Sequence, residues 1–182
     1  MQLFLLILGC KPTGRNTEQH DAFFGIGNNL KDLLPQVEKF WLDGGKKHID
    51  SWRAVTAVNN FSIKIIDKTN TPLPGEHKLF FLNLGGYKPG DMEEYHYKLL
   101  AVANNKADAI KESKQSAFYK HTGFKGATSH IDDKYGVDVD DVYEISEILP
   151  QYIKDQYTIV IEKAAALTQD ELHIGYIKLS SL

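Results

Sequence analysis

The chain has a single cysteine and almost no excess of charge of either sign. Cys10 alone excludes an internal disulfide and a zinc site built from several cysteines, and it suits a reducing compartment. The 21 basic and 24 acidic side chains leave a formal net charge of −3. Such a balance provides no overall attraction to nucleic-acid phosphates or anionic lipids. We therefore expect a soluble, cytoplasmic protein that has neither nucleic acid nor membrane as a partner.

The composition is that of an ordinary globular protein, with 42% apolar and 25% charged residues in a chain of 182. It excludes extended disorder and leaves enough apolar residues for a core. The length is compatible with one domain or with two small ones.

An apolar run near the N-terminus, Leu3–Cys10, resembles a short export signal. However, no basic residue precedes it, and its length of about seven residues is the lower limit for such signals. A similar run, Leu79–Gly86, occurs in the interior of the sequence. A segment that recurs within the chain is typical of a folded unit, so we expect the first run to be retained as a buried strand.

The recurrence extends well beyond the apolar run. Residues 3–32 and 79–108 share eleven identities in thirty positions when they are aligned at an offset of 76. The similarity resumes at an offset of 82, where His130-Ile131-Asp132 corresponds to His48-Ile49-Asp50. This pattern predicts two copies of one unit, at residues 1–70 and 77–150, and a β extension at 151–182 that packs on them.

Each copy is predicted to be a β-β-α-β-β unit, giving an α+β fold of largely antiparallel sheet with one helix per repeat and a C-terminal strand pair. Asn28 and Asn104 are the predicted N-caps of the two helices. Pro35 requires the first helix either to start late or to bend. The predicted strands are 3–8, 21–27, 52–58 and 61–66 in the first copy, 79–84, 97–103, 135–139 and 142–149 in the second, and 158–163 and 171–179 in the tail; the predicted helices are 29–41 and 105–119.

Several of these residues also suggest a family. The string Glu18-Gln-His20-Asp21-x-Phe23, followed by Trp41 and then His48-Ile49-Asp50-Ser51, resembles the DUF1543 family, a bacterial domain of unknown function found in one or two copies per chain. The resemblance covers most of residues 3–66 and, more loosely, 79–149. In the second half, Tyr97 stands at the position of Asp21. The resemblance implies a bacterial protein with a duplicated domain and supplies no activity.

Histidines and carboxylates recur at matching positions of the two copies. In an extended chain, residues at i and i+2 project to one face, so Glu18 with His20, and His48 with Asp50, should each share a face. Two histidines with carboxylates can bind a divalent metal or act as an acid-base pair. The competing interpretation is that these side chains anchor their own loops. The candidate ligand or metal-site residues are Glu18, His20, Asp21, His48, Asp50, Glu94, His96, His130 and Asp132.

Two other segments are assigned structural roles. Gly25-Ile26-Gly27 before the first helix lacks the third glycine of a dinucleotide-binding loop, and small residues for close packing are the preferred explanation. Asp138-Val139-Asp140-Asp141 lacks the spacing of a calcium loop and is predicted to be a solvated turn.

The sequence favours a cytoplasmic, non-enzymatic module that binds a small molecule or a protein. A divalent metal is the one candidate cofactor, and a homodimer is the candidate assembly. The alternative is a small metal-dependent hydrolase that uses the repeated Glu-x-His-Asp and His-Ile-Asp segments. The two hypotheses differ in whether His20, His48 and a carboxylate converge on one point.

Overall fold

The computed structural model describes residues 1–70, 75–87, 92–115 and 137–182. The chain forms two compact units, the first made of Met1–Pro74 with Leu149–Leu182 and the second of Gly75–Ile148. The fold is mixed α+β, with antiparallel sheets and few helices. None of the helices within the described ranges has the length and apolar content that crossing a bilayer would require.

The first unit contains two antiparallel sheets. A four-stranded sheet has the order β10-β3-β1-β2, and a three-stranded sheet has the order β4-β5-β9. The tail strands therefore do not pair with each other, because each joins a different sheet. The bounds are β1 Gln2–Cys10, β2 Gln19–Gly27, β3 Lys47–Val55, β4 Ala57–Val58, β5 Phe61–Asp67, β9 Tyr157–Lys163 and β10 His173–Lys178.

Strand β1 is central because its apolar run can be buried while both of its edges are hydrogen-bonded. It pairs with β2 on one side and β3 on the other. One face of the strand packs Phe4, Leu6 and Leu8 into a core with Leu33 and Val37. This confirms the predicted buried strand at residues 3–8. The opposite face carries Gly9.

The first helical segment starts late, as Pro35 allowed. A 3-10 turn at Leu30–Leu33 leads into helix α1 at Leu34–Phe40, and Pro35 lies in the first turn of α1. Proline is tolerated there because the amides of a first helical turn have no partner within the helix.

A buried glutamine on α1 satisfies the backbone of the edge strand β2. The Gln36 side chain donates from Nε2 to the Ile26 carbonyl at 2.8 Å and accepts from the Ile26 amide at 3.3 Å. Ile26 would otherwise present an unpaired donor and acceptor at the edge, which is costly for buried backbone. The carboxamide thus occupies the position of a further strand.

The second unit has one described sheet and two described helices. The strand order is β7-β6-β8, with β6 at Lys78–Tyr87, β7 at Glu94–Ala103 and β8 at Val137–Glu144. Helix α2 spans Lys106–Ser113 and helix α3 spans Ile145–Ile148; a further helix, α4 at Gln151–Gln156, belongs to the first unit. Phe80, Leu82, Ala101 and Ala109 form the core of this unit.

The central strands of the two units have matching registers. Gly9 of β1 lies opposite His20 of β2 and His48 of β3. Gly85 of β6 lies opposite His96 of β7 and Asp138 of β8. The pairing of β1 with β3 shifts by one residue between Ile7 and Leu8, just before Gly9. The pairing of β6 with β8 shifts in the same way between Asn83 and Leu84, just before Gly85.

Three predicted elements are corrected by the structure. The predicted strand at 142–149 is wrong, because β8 ends at Glu144 and α3 follows. Ile145, Ile148 and Leu149 follow helical rather than alternating spacing. The predicted break between strands at 139 and 142 is absent, since Val137–Glu144 is continuous. The predicted helix 105–119 is too long, because α2 ends at Ser113, and positions 116–119 lie outside the described residues.

The N-caps lie one residue later than predicted. Asn29 Oδ1 accepts from the Asp32 amide at 3.2 Å, and Asn105 Oδ1 accepts from the Asp108 amide at 3.0 Å. Both caps have extended backbone, as an N-cap requires. Asn28 instead uses its backbone amide, which donates to Asp32 Oδ2 at 2.9 Å. The assignment of Asn28 and Asn104 as caps is therefore wrong.

Replacing a true cap should be costly, whereas replacing its neighbour should not. We expect Asn29→Ala and Asn105→Ala each to lower the free energy of unfolding by about 0.5–2 kcal/mol, because a first-turn amide loses its acceptor. Asn28→Ala and Asn104→Ala are the matched controls and should cost less. Urea denaturation of the four variants provides the comparison, and equal losses at both members of a pair would contradict the assignment.

Candidate functional site

Four side chains of the first unit meet above Gly9. Glu18 lies just before β2 and His20 within it, while His48 and Asp50 both belong to β3. Because β1 runs between these strands, the side chains directly opposite Gly9 on either side can reach each other only across it. The site is therefore built on the central strand by its two neighbours.

The imidazole Nε2 atoms and the carboxylate oxygens converge. His20 Nε2 lies 3.2 Å from Asp50 Oδ2 and 3.6 Å from Glu18 Oε2. His48 Nε2 lies 3.1 Å from Asp50 Oδ1 and 3.6 Å from Glu18 Oε1. One ligand atom from each of Glu18, His20 and His48 lies within 4.8 Å of the others. Each carboxylate thus faces both histidines.

A β-bulge brings Asp50 to this cluster. Ile49 pairs with Leu8 and Ser51 pairs with Ile7, so Asp50 is the extra residue in β3. A bulge places an additional side chain on one face of a sheet and redirects it. Asp50 consequently lies on the same face as His48, while Ile49 between them is buried in the core.

Gly9 supplies the space that the cluster fills. A Cβ atom built on Gly9 would lie 2.7 Å from His48 Cε1 and 3.0 Å from Asp50 Oδ2. Such distances are shorter than normal van der Waals contacts. Any side chain at position 9 would displace the His48 ring, so glycine is required for close approach here.

The site is closed on the side of β3 and open on the side of β2. The His48 side chain is only 7% exposed, whereas His20 and Glu18 are 45% and 46% exposed. Tyr176 covers His48, with ring centroids 4.4 Å apart. Tyr176 reaches this position because the pairing of β10 with β3 shifts between Ile174 and Ile177.

Asp50 has an unsatisfied oxygen. Its Oδ2 atom is buried and accepts no hydrogen bond from any described residue, although His20 Nε2 is only 3.2 Å away. The atoms are close, but the direction of the ring N–H does not suit a hydrogen bond. A buried carboxylate oxygen without a partner is costly, and a cation held between the same atoms would satisfy it.

This donor set can bind a metal ion. Imidazole nitrogens with carboxylate oxygens suit Zn²⁺ and other divalent transition metals, and an exposed side leaves room for water or substrate. Without a metal, the same imidazoles and carboxylates provide the groups of an acid-base pair.

Asp21 is not brought to the cluster. It pairs with Leu8 rather than with Gly9, so its side chain lies on the opposite face of the sheet from His20. Its Oδ1 accepts a hydrogen bond from the Ala22 amide at 2.7 Å. The replacement of Asp21 by Tyr97 in the second unit therefore removes no member of the cluster.

The second unit brings Asp140, which was not among the predicted site residues, together with Glu94 and His96. Glu94, His96 and Asp140 contribute ligand atoms within 4.8 Å of one another. The expectation of a solvated turn at 138–141 is wrong, since these residues lie within β8. His130 and Asp132 lie outside the described residues.

The sequence contained an indication that Asp140 lies in a strand. Val137, Val139 and Val142 are β-branched, as expected of a strand, and Val139-Asp140 repeats the apolar-acidic order of Ile49-Asp50. The identical His-Ile-Asp strings at 48–50 and 130–132 instead led to the prediction of Asp132 as the site residue. The contribution of Tyr176 carried no such signal, because it depends on a shift in strand register.

A separate cleft of about 610 Å³ in the first unit lies next to Gly25–Gly27, the segment that was compared with a dinucleotide-binding loop. Asn28 and Asn29 line it, together with Asp170 and Glu171. Two carboxylates are unfavourable for phosphate, so the structural explanation of Gly25–Gly27 is retained. Added Cβ atoms at Gly25 and Gly27 would come within 3.0 and 3.2 Å of Leu33 Cδ2, as close packing predicts.

Cys10 lies next to Gly9 but is fully buried on the core side of β1. Burial raises the pKa of its thiol, although the nearby Lys47 ammonium opposes this effect. The thiolate is the reactive form of cysteine, so Cys10 is suited neither to nucleophilic catalysis nor to metal binding at neutral pH.

We expect Cys10 in the native protein to react slowly with a thiol reagent at neutral pH, because both burial and the raised pKa suppress the thiolate. The rate should increase strongly in denaturing urea, where the thiol regains its ordinary pKa and becomes accessible. A thiol reagent that releases a coloured thiolate allows both rates to be measured by absorbance. Equal rates in the two conditions would show that the thiol is accessible.

We expect Gly9→Ala to destabilise the protein by about 1–3 kcal/mol, because the added methyl group overpacks against His48 and Asp50. Gly75→Ala is the control, since a Cβ there meets no atom of the described residues within 4 Å. Urea denaturation measures both changes. A Gly9→Ala variant as stable as the Gly75→Ala variant would show that His48 and Asp50 can move aside without loss of stability.

Comparisons with known proteins identify a similar family and a similar fold. A family model described as Domain of Unknown Function (DUF1543) matches residues 15–65, a range that includes Glu18, His20, His48 and Asp50 but no part of the second unit. No curated protein matches the chain. The crystal structure of a protein Il1583 from Idiomarina loihiensis is similar over 98% of this chain and 97% of that chain, with a TM-score of 0.65 and 21% identity. At this identity the likeness is one of fold.

Proposed function

We propose that the first unit is a binding module for a divalent transition-metal ion, with Glu18, His20, His48 and Asp50 as its ligands. The observation that carries the proposal is the convergence of two imidazole Nε2 atoms on the same pair of carboxylates, at 3.1–3.6 Å. Such convergence from two separate strands is the arrangement a metal centre requires.

The contacts argue against four independent loop anchors. An anchor bonds the backbone of its own loop, whereas His20 and His48 direct Nε2 toward carboxylates on other segments. Asp50 Oδ2 is buried and has no hydrogen-bond partner among the described residues. This also argues against an anchor, because an anchoring side chain would have its acceptors satisfied.

The nature of the donors indicates the metal. Two nitrogens and two carboxylates favour Zn²⁺, Ni²⁺, Co²⁺ or Cu²⁺ over Mg²⁺ or Ca²⁺, which prefer oxygen donors. Because histidine must be neutral to bind, metal affinity should fall in acid. The glutamate and aspartate together would offset the charge of a divalent ion.

A hydrolytic enzyme is the second candidate, and the exposure of the site favours it. Glu18 and His20 are nearly half exposed, so one side of a bound ion would face solvent. A structural metal site is closed, whereas a catalytic one keeps a position for water. In that case His20, His48 and Asp50 would hold the ion, and Glu18, the more exposed of the two carboxylates, would serve as the general base.

We also propose that the two units arose by duplication of one ancestral unit in a bacterial protein. The shared register around Gly9 and Gly85 and the matching bulges support this origin. The matching caps at Asn29 and Asn105 support it as well. The structural correspondence of β3 and β8 has an offset of 90, which replaces the offset of 82 inferred from the His-Ile-Asp strings.

Added Zn²⁺ or Ni²⁺ should raise the melting temperature of the protein purified without a histidine tag, because a ligand that binds only the native state stabilises it. The gain amounts to about 2.7 kcal/mol at a free concentration 100 times Kd. His20→Ala, His48→Ala and Asp50→Asn should each lose most of this gain. Thermal unfolding at increasing metal concentration measures the effect.

Two matched controls should retain the gain. Asp21→Asn removes a neighbouring carboxylate on the opposite face, and His173→Ala removes a histidine that stacks on Trp52 instead of joining the cluster. The proposal fails if metal has no effect on the wild type, or if His48→Ala responds to metal as the wild type does. The melting temperature of each variant without metal shows that it is folded.

A further inference from the structure

The second unit contains its own convergence of ligand atoms above a glycine. His96 Nε2 lies 3.2 Å from Asp140 Oδ2 and 3.9 Å from Glu94 Oε2. Their side chains are between 28% and 39% exposed, so the cluster is accessible to solvent ions. These residues lie on β7 and β8, on either side of β6.

The space above Gly85 is filled by carboxylate oxygens. A Cβ atom at Gly85 would come within 2.8 Å of both Asp140 Oδ1 and Glu94 Oε1. In the first unit the corresponding space above Gly9 is filled mainly by the His48 ring. Two carboxylates directed into one small space repel each other unless a cation lies between them.

Asp140 arrives there through a bulge, as Asp50 does. Val139 pairs with Leu84 and Asp141 with Asn83, so Asp140 is the extra residue in β8. The two aspartates therefore occupy equivalent positions. The position opposite the glycine differs, since His48 faces Gly9 whereas Asp138 is paired with Gly85.

A buried amide oxygen lies on the same face of β6. Asn83 is two residues from Gly85, and residues at i and i+2 share a face of a strand. Asn83 Nδ2 donates to Asp141 Oδ2 at 3.2 Å, while Asn83 Oδ1 is buried and has no hydrogen-bond partner among the described residues. The face of β6 that carries Gly85 therefore also holds an oxygen acceptor that has no partner among the described residues.

The smaller number of imidazole ligands alters which cation the second site prefers. The first unit offers two imidazole nitrogens, but the second offers one nitrogen and a larger share of oxygens. Oxygen donors favour Mn²⁺, Mg²⁺ and Ca²⁺, and among these Mn²⁺ best accepts an imidazole ligand.

We infer that Glu94, His96 and Asp140 form a second cation site, which takes an oxygen-preferring divalent ion of the Mn²⁺ type. The site belongs to the second unit alone and does not depend on metal binding by the first. One chain would then hold two different ions, one at a site with two imidazole ligands and the other at a site with one.

The test is a titration with Mn²⁺ of the full chain carrying His20→Ala and His48→Ala. The electron paramagnetic resonance signal of free Mn²⁺ measures how much of the ion remains unbound. We expect this parent to bind one Mn²⁺. Adding Asp140→Asn or Glu94→Gln should weaken binding by at least about tenfold, as loss of a ligand does. Glu93→Gln, which removes a neighbouring exposed carboxylate, is the matched control and should leave the affinity unchanged.

The outcomes separate this inference from the function proposed for the first unit. An affinity for Mn²⁺ that is equal in the parent and in both Asp140→Asn and Glu94→Gln would overturn the second site, as would a parent that binds no Mn²⁺. Either result leaves the response of the wild type to Zn²⁺ untouched. Conversely, Mn²⁺ binding that depends on Asp140 in a protein indifferent to Zn²⁺ would support this site and reject the first.

Discussion

The structure of the first unit depends on one constraint, which is that β1 must be hydrogen-bonded along both edges and packed on one face at the same time. Phe4, Leu6 and Leu8 supply the core on one face, and the site lies at the Gly9 end of the opposite face, on which Leu3 is also buried. Because Gly9 has no side chain, groups from the two neighbouring strands can meet over the backbone. The same combination of central strand, glycine and flanking strands recurs at Gly85. Stability and ligand geometry are thus provided by opposite faces of one strand.

Local patterns were sufficient to predict part of this arrangement. The apolar run at residues 3–8 follows from hydrophobic patterning, and the shared face of Glu18 and His20 follows from the period of an extended chain. The predicted strands 21–27 and 52–58 were misplaced, because β2 begins at Gln19 and β3 spans Lys47–Val55, so neither predicted strand contained a histidine of the site. The pair His48 and Asp50 also shares a face, but for a different reason, since the extra residue of a bulge redirects Asp50. Bulges and cross-strand partners are set by tertiary pairing, so the sequence could not place Asp140.

The errors at the helices have equally local causes. Two consecutive asparagines can each accept a hydrogen bond from a first-turn amide, and only the backbone angles decide which of them is the cap. The pattern of residues 29–41 predicted a helix but could not show that a 3-10 turn at Leu30–Leu33 precedes α1. The segment 142–149 was mistaken for strand because short apolar stretches satisfy both periodicities.

The bond between Gln36 and Ile26 has a consequence for aggregation. A sheet grows by adding strands at its edges, and an edge with unpaired amides can recruit another chain. At β2 the carboxamide of Gln36 already occupies the amide and carbonyl of Ile26. At the other edge, the register shift around Gly175 interrupts the ladder that an incoming strand would extend. The sheet is therefore protected from templated growth by an amide at one edge and by a bulge at the other, without a charged residue at either point.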